Sequence, residues 1–372
     1  MPLLVGDPAP WFKCECTTNP NYNFDTVAGR YVVLSFFGST TLPQVPPLLR
    51  FIYQDLRPRF DDSNLCFFGV SIDPQDKEQH RVTQIIPGIR FFWDFNLEVS
   101  KRYGAVRAEE GAGFVFQPFT LVLDPNLRVL ANIPINENHN LILDNVLKSL
   151  PPIDDYAQVP LTAPILIVPR VFEPEFCREL IRLYQTHGGS ESGFMREKDG
   201  KTIGVQDYSF KRRKDYEIQS EEIKAHFRAC LVRRLVPEIA KAFNFHVTRI
   251  ERFIVACYEG EVGGFFRPHR DNTTKGTAHR RFAVTINLNA EEYEGGDLRF
   301  PEYGSRTYRA PTGGCVVFSC SILHEATPVT KGVRYATLPF LYDEAAAKIR
   351  EMNRQFLSGE IVDLNQQKTL QT

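Results

Sequence analysis

Residues 151–164, PPIDDYAQVPLTAP, carry four prolines and neither a helical nor an alternating apolar pattern. Proline fixes φ and lacks the amide proton that a helix or sheet interior needs, so no long regular element runs through this stretch. Before it stands the amphipathic HNLILDNVLKSL, and after it the apolar ILIVPRVF. The chain is therefore expected to divide into a first domain over 1–150, a linker over 151–164, a second domain over 165–350 and a polar tail over 351–372. A length of 372 residues agrees, because a single core rarely grows that large.

In the first half, YVVLSFFG and LCFFGVSID read as buried strands with the helix PPLLRFIYQDLRPRF between them. FTLVLDPNLRVLANI reads as a hairpin turning at Asp124-Pro125-Asn126. Strands alternating with helices predict an α/β domain around a central sheet. With the opening VGDPAPWF and the late QPFTLVLDPNLRVL, this order resembles the thioredoxin and peroxiredoxin superfamily across most of residues 1–150.

In that superfamily the turn after the first of these strands carries the reactive cysteine, and here it reads STTLPQVPP. Aligned as a thioredoxin through Pro43, Thr41 and Gln44 take the two cysteine positions. Aligned as a peroxiredoxin, Pro43 or Gln44 takes the peroxidatic one. Thiol chemistry needs a thiolate at the helix N-terminus, and Cys14, Cys16 and Cys66 all lie outside the turn. The domain is expected to be redox-inactive, a scaffold or a module for a protein partner. Pro118 resembles the cis-proline beside the superfamily's site, where it would shape a peptide groove or simply make a structural turn.

The second half changes pattern. EPEFCRELIRLYQTHGG and EEIKAHFRACLVRRL are amphipathic helices. Short alternating strands follow: RFIVACYEG, RFAVTINLN, GGDLRF, GGCVVFSC and RYATLPFLYD. Helices followed by a run of strands predict an α+β domain with a jelly-roll, or double-stranded β-helix, core. Within GGFFRPHRDN, His269 and Asp271 stand two apart, which alone is a weak metal signal. Further on, SCSILHEATPV supplies His324 after enough chain for several strands and a return to the same end of the barrel. Two imidazoles and one carboxylate make the facial triad of non-haem Fe(II) oxygenases. In KGVRYATLPF, alternation puts Arg334, Ala336 and Leu338 on one strand face, and an inward arginine requires an anion.

Taken in order, ACYEG, PHRDN, YEGGDLRFP, PTGGCVVFSCSILHEATPV and GVRYA resemble the Fe(II)/2-oxoglutarate dioxygenases of the prolyl 4-hydroxylase type, over roughly residues 165–345. The resemblance implies Fe(II) held by His269, Asp271 and His324, 2-oxoglutarate held at its distal carboxylate by Arg334, O2 as oxidant and ascorbate as an accessory reductant. Tyr258 matches a tyrosine lying beside the cosubstrate. Asn287 stands where the hypoxia-sensing members carry a tyrosine, which leaves Asn287 or Thr285 to make the second contact to that carboxylate. The implied activity is hydroxylation of a C–H bond in an amino-acid, peptide or small-molecule substrate, with release of succinate and CO2. Because Asp271 fills the position that related halogenases leave open, hydroxylation is expected over halogenation.

Other stretches leave the substrate open. Residues 188–216 are glycine-rich and polar, in the manner of a substrate lid, and KRRK at Lys211–Lys214 reads better as a solvated face than as an acid-binding patch. His279-Arg280-Arg281 is equally ambiguous. A net charge of −1 argues against a nucleic-acid partner. No apolar run approaches the ~20 residues that span a bilayer. With no basic and apolar leader pattern in MPLLVGDPAPWF, the eight scattered cysteines read as reduced thiols in the cytoplasm. Two competing classes stand beside the oxygenase: a thiol peroxidase acting through the first domain, and a non-catalytic binding protein.

Overall fold

The first sheet is built on apolar runs that have no polar face. In the computed structural model, which describes residues 3–109 and 113–365, its strands are β1 (Lys13–Cys16), β2 (Asn19–Asn23), β3 (Tyr31–Gly38), β4 (Leu65–Ser71), β5 (Ile89–Trp93), β6 (Phe119–Leu123) and β7 (Val129–Pro134). They lie in the order β2-β1-β5-β4-β3-β6-β7. The three central strands β3, β4 and β5 are parallel, and β6 and β7 add to the β3 edge antiparallel. Every residue of β3 and β4 is buried, as expected of strands covered on both faces. This is a thioredoxin-like, peroxiredoxin-type sheet.

Helix α1 (Val45–Gln54) follows β3 and buries Val45, Leu48, Leu49 and Ile52. It stops short of the expected length, because Pro58 enters a 3₁₀ turn at Arg57–Arg59. Helix α2 is His139–Lys148. The cis peptide bond among the described residues is Ile86–Pro87. Gln117–Pro118 is trans, so the likeness of Pro118 to the superfamily's cis-proline does not extend to its peptide bond.

By proximity the chain divides into Met1–Thr162 with Pro301–Ser305, and Ala163–Phe300 with Arg306–Thr372. The second unit carries β8 (Leu166–Val168), α3 (Pro174–His187), β9 (Ser190–Glu191), β10 (Lys211–Arg212), β11 (Lys214–Glu217), α4 (Glu221–Cys230), α5 (Val236–Phe243), β12 (Arg249–Glu251), β13 (Ile254–Glu259), β14 (Phe265–His269), β15 (Phe282–Asn287), β16 (Leu298–Arg299), β17 (Thr307–Tyr308), β18 (Cys315–Ser319), β19 (His324–Ala326), β20 (Val333–Thr337) and β21 (Phe340–Tyr342). A nine-stranded sheet runs β8-β18-β15-β20-β13-β11-β9, with β12 and β21 beside it, and a five-stranded sheet runs β10-β14-β19-β16-β17. Alternation sorts each strand of the larger sheet onto two faces. Val255, Cys257, Val284 and Ile286 join Phe172, Leu180 and Phe227 in a core beneath the helices. Ile254, Ala256 and Tyr258 point the other way, into a second cluster with Phe266, Tyr293, Ala326 and Val329. That second face is the barrel interior.

Residues 188–216 are not an open loop. They form the strands Phe194–Lys198 and Lys201–Gln206 besides β9, β10 and the start of β11, and Phe194 and Phe210 pack against the interior cluster. Part of the polar C-terminal stretch, Leu357–Asp363, is a strand paired in parallel with Lys201–Gln206. Residues 366–372 lie outside the described residues.

Candidate metal centre

Strand register brings the distant histidines together. His269 ends β14, His324 opens β19, and the two are direct cross-strand partners with ring centroids 4.3 Å apart. Asp271 follows immediately after β14, and its amide donates to the carbonyl of Cys320. One carboxylate oxygen stands 3.6 Å from His269 Nε2 and the other 3.3 Å from His324 Nε2. The three donor atoms all lie within 4.8 Å of one another.

The tautomers are set locally. His269 Nδ1 donates to its own chain at the Arg267 carbonyl (2.7 Å), and His324 Nδ1 to the Ile322 carbonyl (3.0 Å). A carbonyl only accepts, so the proton sits on Nδ1 and the Nε2 lone pair is left facing the aspartate. Burial pushes the His269 imidazolium down to about 4, and His324 beside it adds to the effect. Burial alone would raise the Asp271 carboxyl; the adjoining histidines more than reverse this and hold it well below the usual carboxylate range. A divalent metal needs Nε2 lone pairs beside an ionised carboxylate, the arrangement that Nδ1-protonated imidazoles offer.

Arg334 lies on β20 opposite Tyr258, and only 2% of it is exposed. Its guanidinium stacks 4.8 Å over the Tyr258 ring and lies beside the Tyr293 hydroxyl. Nε and Nη1 are buried and have no partner. A buried guanidinium with idle donors is costly unless an anion completes it. The donor set and the idle fork together fit Fe(II) and a dicarboxylate cosubstrate.

Comparison with known proteins decides what surrounds this geometry. Residues 253–342 match the 2OG-Fe(II) oxygenase superfamily, and residues 5–131 match the AhpC/TSA family. The chain carries a 2OG-Fe(II) oxygenase domain. A PKHD-type hydroxylase of a Synechococcus strain is 28% identical over 130 residues, which cover 33% of this chain and 55% of that protein. One from Cupriavidus metallidurans is 39% identical over 89 residues, covering 22% of this chain and 38% of the relative. The chain thus spans about half or less of these two relatives' length. Among solved structures, a prolyl hydroxylase from Trichoplax adhaerens, in complex with a hypoxia inducible factor peptide, is similar at 20% identity. It covers 58% of this chain and 97% of that one, with a TM-score of 0.42.

The other expected residues of the oxygenase domain fall into place unequally. Tyr258 is buried and its hydroxyl accepts from Arg213 Nη1 at 3.3 Å. Asn287 and Thr285 share the inward face of β15, but the Asn287 amide nitrogen donates to the Ala310 carbonyl at 2.7 Å. Its oxygen accepts from the Tyr293 hydroxyl at 3.4 Å. Tyr293 is therefore the phenol beside Arg334, a residue the sequence reading passed over within YEGGDLRFP. Burial raises its hydroxyl above the ordinary tyrosine range, although Arg334 and Arg309 pull the other way. Gly296 makes room for this pairing: at φ +68°, a Cβ there would lie 2.8 Å from Val329 Cγ2 and 3.2 Å from Arg334 Cδ.

KRRK is not a uniformly solvated face. Lys211 and Arg213 are buried while Arg212 is exposed, because the chain leaves one sheet and joins the other at Arg213. His279 and Arg280 both donate to Glu251 and lock the β12 end. A second donor trio, Glu173, His226 and Cys230, does not make a metal site, since Arg234 already bonds Glu173 and burial raises the Cys230 thiol.

In the first unit the turn after β3 is closed by side chains. Ser39 Oγ donates to Asp73 (2.7 Å), and Thr40 N and Ser71 Oγ both donate to Asp76 (3.1 and 2.8 Å). Burial pushes the Cys14 and Cys66 thiols up to about 12. No described helix is long and apolar enough to cross a membrane.

Proposed function

We propose that the oxygenase domain uses Fe(II), 2-oxoglutarate and O2 to hydroxylate a C–H bond of an amino-acid, peptide or small-molecule substrate, with release of succinate and CO2. One observation carries the reading: three metal-type donors converge in the barrel interior that also holds a buried guanidinium with two unpartnered nitrogens. When bound, Fe(II) with 2-oxoglutarate and O2 supplies a strong oxidant that no side chain can provide. His269 and His324 would present Nε2, and Asp271 one carboxylate oxygen, leaving the remaining positions open. Arg334 would grip the distal carboxylate of the cosubstrate through its fork, with the Tyr293 hydroxyl, once turned from its long bond to Asn287, as the second donor. Phe266, stacked 3.5 Å from the His269 ring, and the interior aliphatic residues would shield the metal position from water.

The first unit has no sulfur at its turn, which supports a redox-inactive scaffold or protein-binding role. All eight cysteines are free, consistent with a reducing compartment, and we place the protein in the cytoplasm. The reading is tested by anaerobic addition of Fe(II) and 2-oxoglutarate. A weak visible absorption band requiring both should appear, and O2 should then give succinate. A protein that binds iron but shows no band with 2-oxoglutarate would exclude the cosubstrate.

A further inference from the structure

Beside the triad lies a concentration of positive charge that the proposed chemistry does not use. Arg213 forms a two-point pair with Asp215, through Nε and Nη2 at 2.7 Å each, and reaches Tyr258 with Nη1. Arg252 Nη2 also meets Asp215, at 3.1 Å. Lys211 Nζ donates to Ser192 Oγ at 2.7 Å and to the Gly193 carbonyl at 2.6 Å. Arg213 and Arg252 thus share one carboxylate, and Lys211 reaches it only through Ser192, whose hydroxyl donates to Asp215. Both Lys211 and Arg252 feel the charge of Asp271, which the metal reading already commits elsewhere.

Uncompensated cations are expensive in an interior, so the surplus calls for a counter-ion. Arg213 is fully occupied by its partners. Lys211 and Arg252 are not. The Lys211 ammonium stands 4.8 Å over the Phe266 ring, on which His269 also stacks, so this cation lies one ring away from the metal ligand. Burial and then Arg213 lower its ammonium well below the ordinary lysine value, against the pull of Asp215 and Asp271, so an added anion would favour its charged form. Arg252 takes a left-handed backbone conformation, φ +76°, which a non-glycine residue adopts at a cost, and it leaves 28% of its side chain accessible. One guanidinium nitrogen holds Asp215, and the rest of the fork is open.

We propose that Lys211 and Arg252 receive an oxyanion of the substrate, a carboxylate or a phosphate, so that the hydroxylated molecule is acidic. This rests on the oxygenase reading for its metal but not for its anion. The test uses the full-length protein with Mn(II) in place of iron and saturating 2-oxoglutarate, and measures paramagnetic relaxation of three probes. These are ¹⁹F in trifluoroacetate, ³¹P in inorganic phosphate and ¹⁹F in neutral trifluoroethanol.

At least one oxyanion should show saturable relaxation that trifluoroethanol lacks, and the tighter of the two names the source. Lys211→Gln and Arg252→Gln should each weaken it about tenfold or more, while Arg252→Lys, which keeps the charge, should retain most of it. Equal relaxation of trifluoroethanol, or binding unchanged by both glutamine variants, overturns the proposal. Should either variant fail to fold, wild-type binding must still weaken as chloride rises, and indifference to chloride overturns it as well. If Mn(II) itself fails to bind, the metal reading falls alone. The anion site is then read from the rise in Tm with phosphate, which Arg252→Gln must abolish.

Discussion

The turn after β3 and the interior end of β14 both stand where a catalytic group is expected, yet they are finished in opposite ways. At the turn, Ser39, Thr40 and Ser71 spend their hydrogen bonds on Asp73 and Asp76, and Arg81 lies 3.4 and 3.5 Å from the same two carboxylates. In the barrel, two Nε2 atoms face one carboxylate while Arg334 keeps two buried donors idle. A polar cluster that satisfies itself has nothing left for a ligand; one that does not has been shaped around something absent from the chain. The contrast explains why family likeness alone is a poor guide to which of two grafted folds works.

The sharpest way to break the contrast is to remove a donor from the unsatisfied site. His269→Ala or His324→Ala should cut iron-dependent succinate release by more than the roughly 10–100-fold that losing an outer metal partner costs. Circular dichroism should remain native, and activity within twofold of wild type would refute the assignment. Next comes Arg334→Ala, which should leave metal affinity unchanged. It should raise the 2-oxoglutarate half-saturation roughly 30- to 4000-fold, from about 2–5 kcal/mol for an orphaned charge partner. Arg334→Lys should restore only part, because a point charge cannot reproduce the fork. An unchanged half-saturation in both would mean that the guanidinium has another purpose.

Tyr293→Phe is a finer cut. Losing one neutral hydrogen bond, about 0.5–1.5 kcal/mol, should raise the same half-saturation roughly 2- to 12-fold and leave Mn(II) binding alone. The smallest effect is expected at the satisfied site. Thr41→Cys or Gln44→Cys should give no efficient peroxide reduction, since neither supplies a tuned environment or a resolving thiol. Rapid peroxide consumption by the unmodified protein would erase the distinction between the two regions.

What could be read in advance follows the same division. The buried runs at β3 and β4 and the hairpin of β6 and β7 announce themselves, because a continuous apolar run or an Asp-Pro-Asn turn admits few alternatives. The convergence of His269, Asp271 and His324 was legible because type and order constrain them, and alternation set Arg334 on the face away from Tyr335, which packs beneath the helices while Arg334 stacks on Tyr258. Tyr293 was not, since its reach to Arg334 depends on the glycine turn at Gly295-Gly296 rather than on strand periodicity. KRRK misled because it is extended chain whose alternation turns Lys211 and Arg213 inward, and composition does not reveal alternation. β5 was passed over because IRFFW follows Pro87-Gly88 without an alternating pattern.

Both imidazoles are held at Nδ1 by main-chain carbonyls two residues upstream, at Arg267 and Ile322, rather than by a side-chain acceptor. A side-chain orienter can be lost by one substitution; a peptide carbonyl belongs to whatever residue occupies the position. The hydrogen bonds that hold the two rings are therefore indifferent to which side chain stands at 267 or 322, although Arg267 itself bonds the Ser209 carbonyl. A library randomised there, proline excepted, should retain Mn(II) binding across most of its members.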